Sequence, residues 1–413
     1  MSALSPYLLA GTINPPAGTD HSYRQQLSLP TGELDIRAWP ETFEVEALIG
    51  VAARANARRG FLFLSRVLGK HWPATPSAMA GIHRYLASHV PADLPGPVVF
   101  IAMAETAIGL GQGVFEAFLE QRPGVEALFL HSTRYRVGDG PLIEFEESHS
   151  HAPRQFLHLP ADPLLRERFL SARSLVLVDD EASTGNTFKN LCAACRQWNP
   201  ALERVHLATI TDFMGDGVRA GLVGRFGLTV SVGAALRGEF SFTPAHDFLG
   251  QFKNQAPAQA FDPVADRGAR QDFGRVGLGR KLSVPADLVA RLLGEIGPEE
   301  DTLVLGTGEF MHPAFLLAWA LERGGRSVFV QSSTRSPILK WGAVGNVLCF
   351  PDNYGEGLNN YLYNVSAGQY RHVLICHETP ANGALHQFAG LTAGRLFHFR
   401  SENDVEEIPI RGS

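Results

Sequence analysis

The 413-residue chain predicts an α/β fold: a parallel sheet with flanking helices, joined to a second α/β domain. One observation behind this is the stretch Leu175–Thr187, LVLVDDEASTGNT. Its continuous apolar run Leu175, Val176, Leu177 and Val178 is of the kind buried on both faces inside a parallel sheet. Asp179 and Asp180 follow at its carboxyl end, then small and hydroxyl residues. A helix starts at about Thr187, with Phe188, Leu191, Cys192 and Cys195 at the i, i+3, i+4, i+7 spacing of a core-facing stripe. The other observation is recurrence. Apolar strand, small-residue loop and helix succeed one another again at Pro97–Gly111, and strand-to-loop segments return at Asp301–Phe310 and His372–Gly383.

The carboxyl end of a buried parallel strand is where open α/β sheets bind ligands. Small residues between strand and helix let backbone N–H groups approach an anion, and the helix start adds a positive dipole end. Two acids just ahead of that turn would repel a phosphate, so they suit neutral hydroxyls or a divalent cation. The expected pocket is for a phosphorylated sugar, with phosphate at Ala182, Ser183, Thr184, Gly185, Asn186 and Thr187. Ribose hydroxyls and Mg²⁺ would sit near Asp179 and Asp180. The competing reading is an ordinary strand–turn–helix with solvated acids at its tip.

The length predicts two domains: residues 1–250, a linker at 251–272, and residues 273–413. A hydrophobic content of 45% with 19% charged residues suits well-formed cores. The net charge of −6 argues against a general nucleic-acid binder. MSALSPYLLAGTINP has neither a basic start nor a long apolar run, and no stretch reaches a membrane span, so a cytoplasmic protein is expected. The four cysteines, Cys192, Cys195, Cys349 and Cys376, are too few for a disulfide scaffold, and the Cys192/Cys195 pair lies on a core-facing stripe.

In chain order, Gly32–Pro40 predicts an edge strand and Phe43–Ala57 a helix. Gly60–His71 predicts an apolar strand or short helix, and Pro73 and Pro76 break the chain before a helix at about Ser77–Ser88. Arg58, Arg59, Arg66, Lys70 and His71 form a basic cluster, either a solvated face or a set of ligand-binding cations. Val98–Ala102 is a buried strand ending in Ala104, Glu105, Thr106, Ala107, Ile108 and Gly109, with a helix through Leu119. Ala127–His131 is a third strand, leading to Arg134 and Arg136. In Phe145–Ala152, Glu146, Glu147, His149 and His151 read as metal ligands, as a mobile lid, or as an inert surface loop. Val205–Ile210 and Leu228–Val232 are further strands, and Phe252–Arg270 lacks periodicity, as a linker would.

The stretch Leu175–Thr187 resembles the phosphoribosyl pyrophosphate (PRPP) motif of type I phosphoribosyltransferases: hydrophobic strand, two acids, then a Thr/Ser-Gly-x-Thr loop. The resemblance implies that Asp179 and Asp180 contact the ribose hydroxyls, with Mg²⁺ arriving on PRPP, and that Ala182–Thr187 wraps the 5′-phosphate. It implies that Ala104–Gly109 binds pyrophosphate and that His149 and His151 ride on an orotate-type lid. Arg134, at a strand's carboxyl end, is either placed to neutralise that pyrophosphate or a lone surface arginine. The basic cluster would add cations for pyrophosphate or the base. Two residues depart from the pattern, Glu181 (commonly apolar) and Glu105 (basic or small). Ser183 replaces the acid of purine-type members, which leans toward an orotate-like or unusual base.

The C-terminal part echoes the first. VFVQSSTR (Val328–Arg335) matches LFLHSTR, HVLICHETPANG (His372–Gly383) matches SLVLVDDEASTG, and FGRVGLGRK (Phe273–Lys281) echoes FLSRVLGKH. Thr106 and Thr307 are 201 residues apart, as are Arg134 and Arg335, while Gly185 and Gly383 are 198 apart. Either this is a degenerate duplication or two α/β units alike only at coarse grain. His377 and Glu378 replace the acid pair, so no PRPP site is expected there. Thr307, Gly308, Glu309, Thr334, Arg335 and Ser336 remain candidate site residues. The Thr334-Arg335-Ser336-Pro337 run behind such a domain resembles the TRSP domain, whose two-domain members occur with tellurite-resistance and stress-response gene clusters. That implies synthesis of a nucleoside-like metabolite. The expected activity is phosphoribosyl transfer between PRPP and a nitrogenous base, in either direction, with homodimerisation allowed. A PRPP- or nucleotide-sensing regulator and a ribosyl-phosphate hydrolase are the rivals.

Overall fold

A computed structural model describes residues 22–54, 56, 59–146, 154–245 and 273–409. In chain order its strands are β1 (Tyr23–Leu29), β2 (Gly32–Trp39), β3 (Ile49–Ala53), β4 (Phe61–Ser65), β5 (Val98–Ala102), β6 (Ala127–His131), β7 (Leu142–Glu146), β8 (Arg154–His158), β9 (Ser174–Ala182), β10 (Arg204–Asp212) and β11 (Thr229–Pro244). They continue as β12 (Thr302–Gly306), β13 (Val328–Ser332), β14 (Val347–Pro351), β15 (Asn359–Tyr363), β16 (His372–His377), β17 (Arg395–Phe399) and β18 (Val405–Ile408). The large sheet has the order β1-β2-β11-β10-β9-β5-β6, and the second sheet β13-β12-β16-β17-β18. Pairings from β11 through to β6 are parallel, and β12 pairs in parallel with both β13 and β16. The fold is the expected α/β architecture, with a second sheet-containing region.

Three local expectations change. β2 is not an edge strand: it lies between β1 and β11. Its alternating burial of Leu34, Ile36 and Ala38 reads the same at either place. The segment 43–57 is not one helix, because Val45–Leu48 makes a single turn and β3 then pairs antiparallel with β4. A strand partner outweighs the modest helix preference of its alanines. The strand expected at Leu228–Val232 instead runs 16 residues, long enough to reach past β10 and pair with β2. The linker expected at 251–272 lies outside the described residues. Among those described, no helix is long and apolar enough to cross a membrane.

The strand order β6-β5-β9-β10 returns as β13-β12-β16-β17, with hairpin β7–β8 in the first interval matched by β14–β15 in the second. The units also exchange their lead-in segments. Ala74 of the first pairs with Val330 on β13, and Leu278 of the second pairs with Phe129 on β6. Each exchange covers an outer strand edge that would otherwise present unpaired backbone. One apolar cluster runs through both units, from Phe100, Phe115 and Phe129 to Phe310, Phe315 and Phe397.

Among the described residues, burial holds several histidines neutral. It pushes His71, His83 and His206 down to about 3 and His131 and His377 to about 4. A histidine whose folded value lies below its unfolded value of about 6.5 lends stability above that pH and withdraws it as pH falls toward the folded value. The expected loss is about 1.4 kcal/mol per histidine for each pH unit below 6.5. Urea midpoints at pH 7.5, 6.5 and 5.5 should therefore drop steeply over the second interval only. A flat profile would contradict neutral burial.

Candidate active site

In the large sheet, β5 connects to β6 on one side while β9 connects to β10 on the other. The crevice at the carboxyl ends of β5 and β9 is thus a topological switch point, where open α/β sheets place ligands. On β9, Leu175 to Val178 are fully buried, and Asp179, Asp180 and Glu181 emerge half-buried in its last turns of pleat. The strand continues through the acids to Ala182, further than the apolar run alone suggests. Asp179 Oδ1 accepts the Asp180 N–H at 3.0 Å. Burial and then the Glu181 charge push Asp180 up to about 6, although Asp179 and Arg59 act the other way. Negative charge is concentrated here in a place that favours a cation or hydroxyl donors.

Glu181, the unexpected acid, is held by Arg59, whose guanidinium reaches both carboxylate oxygens at 2.7 Å and lies over the Phe61 ring. The basic cluster is therefore not a solvated face. Lys70 is 0% exposed, His71 is buried, and Arg66 lies 4.5 Å from the Trp72 ring centre. Arg58 lies outside the described residues.

Ala182, the last residue of β9, is buried, and after it Ser183 is half-buried and Thr184 exposed. Gly185 takes φ +68° and opens the helix Asn186–Trp198. That thirteen-residue helix begins one residue before the position expected and buries Phe188, Leu191, Cys192 and Cys195. Burial raises the Cys192 thiol to about 11 and Cys195 further, as packed rather than redox-active thiols behave. Arg225 fixes the loop from outside, donating to Thr184 O at 2.8 Å and Asn186 Oδ1 at 2.7 Å. No sequence signal pointed to Arg225, forty residues away on another helix. The left-handed backbone at Gly185 gives a prediction: Gly185→Ala should cost about 1–2 kcal/mol, and Gly185→Asn less because Asn tolerates that region. Thermal melts of both variants check it, and equal midpoints for wild type and Gly185→Ala would refute it.

Across the crevice, the loop after β5 begins with a cis Ala104–Glu105 peptide. Ala104 N–H donates to Ser132 Oγ at 2.8 Å, and Met103 N–H reaches Val178 O on β9 at 3.0 Å. Thr106 is half-buried, Ala107 buried, and Ile108 and Gly109 open the helix Ile108–Gln121. A Cβ on Gly109 would lie 3.3 Å from Met311 Cβ, so the second unit packs directly on this helix start.

A family model described as phosphoribosyl transferase matches residues 48–239, and one described as TRSP domain C terminus to PRTase_2 matches residues 273–392. The chain is a phosphoribosyl transferase domain followed by a TRSP domain. Among solved structures it is similar to adenine phosphoribosyl transferase from Trypanosoma brucei in complex with AMP, pyrophosphate and ribose-5-phosphate. There the identity is 12%, covering 46% of this chain and 76% of that one, with a TM-score of 0.32. It is also similar to the Giardia lamblia enzyme complexed with 9-deazaadenine, at 16% identity over 46% and 94% of the two chains (TM-score 0.31). The Rhodothermus marinus adenine phosphoribosyltransferase is 15% identical over 46% and 94% (TM-score 0.29). A comparison with curated proteins finds no match.

The TRSP domain brings its candidate residues to the transferase domain's loop. Glu105 is buried and paired with Lys70 Nζ at 2.7 Å and Arg335 Nε at 3.5 Å. Burial raises its carboxyl, but Lys70, Arg335 and Arg134 together hold it down to about 2. Lys70 also donates to Gly308 O at 2.8 Å. Arg335 further engages Glu356 and the Tyr135 hydroxyl. Arg134 is half-buried behind β6, and its backbone N–H donates to Glu309 Oε1 at 2.9 Å, while Thr133 Oγ1 donates to Glu309 Oε2 at 2.6 Å. Thr307 and Thr334 are buried, and Ser336 N–H caps back onto Thr334 Oγ1 at 3.2 Å.

Arg275, which sequence reasoning did not single out, is 1% exposed. It joins Glu309 at 2.9 Å to Glu378 at 2.7 Å through both guanidinium ends, and Tyr354 OH donates to Glu378 at 2.6 Å. Arg136 does not join the site; it pairs with Glu144 at 2.9 Å on the exposed side. Glu147, His149 and His151 lie outside the described residues. Among the described residues no group of three or more His, Cys, Asp or Glu could hold a metal. Any Mg²⁺ would rest on the Asp179/Asp180 pair and on ligand oxygens, the arrangement Mg²⁺ commonly takes with phosphorylated substrates.

Proposed function

We propose that the transferase domain moves a phosphoribosyl group between PRPP and a nitrogenous base, or back from a nucleoside monophosphate and pyrophosphate, in making a nucleoside-like metabolite. The observation that carries this is the meeting at one switch point of a crowded acid pair, a helix start opened by Gly185, and the loop Ala104–Gly109 opposite. In this reading Asp179 and Asp180 accept hydrogen bonds from the ribose 2′- and 3′-hydroxyls. Backbone N–H groups of Ser183–Thr187 and the hydroxyls of Ser183, Thr184 and Thr187 hold the 5′-phosphate. The bond from C1′ to the pyrophosphate oxygen breaks as the base nitrogen bonds to C1′. Backbone groups of Ala104–Gly109, with Arg134 near them, take the negative charge that develops on the leaving pyrophosphate. Mg²⁺ would supply further neutralisation of that charge when bound with PRPP, and the carboxylate oxygens of Asp179 and Asp180 suit a hard divalent ion.

Calorimetry with PRPP–Mg²⁺, followed by pyrophosphate release across a panel of bases, tests the proposal. Saturable binding with base-dependent release is expected. Binding without release from any base would instead point to a sensor, base-independent loss of PRPP to a hydrolase, and no PRPP binding would end the proposal.

A further inference from the structure

The two units share more than strand order. Ser132 Oγ accepts the N–H of Ala104 in the loop after β5, at 2.8 Å, and Ser333 Oγ accepts that of Gly308 in the loop after β12, at 2.9 Å. Thr133 exchanges both backbone hydrogen bonds with Phe156, as Thr334 does with Tyr361. Thr133 Oγ1 accepts Tyr135 N–H at 3.1 Å, and Thr334 Oγ1 accepts Ser336 N–H at 3.2 Å. The lead-ins match across units too: Gly69 O accepts Ser332 N–H at 2.8 Å, and Gly274 O accepts His131 N–H at 3.4 Å. By this correspondence Arg335 answers to Arg134 and Arg275 to Lys70. The reciprocity, each unit giving the other what it receives, is that of a two-fold pair of subunits.

The pair has become unequal. In the second unit the place of the acid pair is filled from within: Glu378 is taken by Arg275 and Tyr354. His377 bonds Thr379 O and stacks on His398. What the second unit still does is reach across. Arg335 leaves it to meet Glu105, the one buried acid on the first unit's loop, and lies 5.3 Å from the Tyr135 ring centre.

We infer that the TRSP domain serves the transferase domain as a built-in second subunit, and that Arg335 is the positioning residue through which it sets the loop Ala104–Gly109. The inference rests on the transferase reading for the loop's ligand, pyrophosphate, and on the structure alone for the positioning. With Lys70 on one side and Arg335 on the other, Glu105 is clamped, and the peptide groups around it are fixed before any anion arrives, which saves ordering cost on binding.

The test uses full-length Arg335→Gln, Arg335→Lys, Glu105→Gln and the Arg335→Gln/Glu105→Gln double variant. Hydrogen exchange over 103–109 is measured alongside titrations with PRPP–Mg²⁺ and with ribose 5-phosphate, which lacks the pyrophosphate. Arg335→Gln should loosen exchange in the loop and weaken PRPP about tenfold or more, leaving ribose 5-phosphate affinity within twofold. Arg335→Lys should recover part of the loss, and the effect of Arg335→Gln should shrink in the Glu105→Gln background. Unchanged loop exchange in Arg335→Gln overturns the inference, as does an equal loss for both ligands. Should wild type bind neither ligand, the transferase reading falls, and loop exchange by itself decides the positioning role.

Discussion

Changing Asp179 and Asp180 together to asparagine should lower affinity for PRPP–Mg²⁺ by about 10²- to 10⁴-fold. Each carboxylate is assigned a charge-assisted hydrogen bond to a ribose hydroxyl, and such bonds contribute about 1.5–3 kcal/mol each, so two give that range. Asparagine keeps the shape, and the rest of β9 is locked by its parallel neighbours β5 and β10. Stability should move in the opposite direction. Asp180 is raised to about 6 by burial and by Glu181. An acid whose folded value exceeds its unfolded value of about 3.9 loses stability as pH rises from 3.9 through 6. At pH 7.5 the neutral variant should therefore melt at or above wild type. Calorimetry and a melt at that pH give both signs, and an unchanged affinity would remove the acids from the site.

Arg275→Met should destabilise the protein by about 3–5 kcal/mol, the usual result of stranding buried charge by deleting its partner. Arg275 lies between Glu309 and Glu378, both buried, with four contacts of 2.7 to 3.2 Å. Without the guanidinium, two carboxylates face each other away from water; burial pushes the Glu309 carboxyl up, and Arg275, the main charge holding it down, is gone. The variant should then regain stability relative to wild type as pH falls through the carboxylate range. Arg275→Met/Glu309→Gln/Glu378→Gln should restore most of the loss at pH 7.5, since the cost is uncompensated charge more than missing volume. Urea unfolding of the two variants decides it; a single variant as stable as wild type would mean that solvent reaches the acids.

The acid pair, its turn and the loop after β5 could be read in the sequence because they are local: each is an apolar run followed within a few residues by the groups that matter. The strand at Ile49–Ala53 could not, because its alanine-rich neighbourhood supports a helix until Phe61–Ser65 lies beside it. The charged network was illegible for a similar reason. Lys70 meets Gly308 and Arg335 meets Tyr135 across more than 190 residues, and no spacing rule spans that. Even the echo between lead-ins misaligned them. Matching FLSRVLGKH to FGRVGLGRK residue for residue pairs Lys70 with Arg280, whereas the backbone partners Gly69 and Gly274 pair Lys70 with Arg275.

Because Ala74 is stitched to Val330 and Leu278 to Phe129, a substitution in either connecting segment is judged by how it fits a sheet encoded elsewhere in the gene. The two halves are consequently inherited as one object. The C-terminal half can drift in its chemistry, yet its contour stays answerable to its neighbour wherever Val330 and Leu278 are paired.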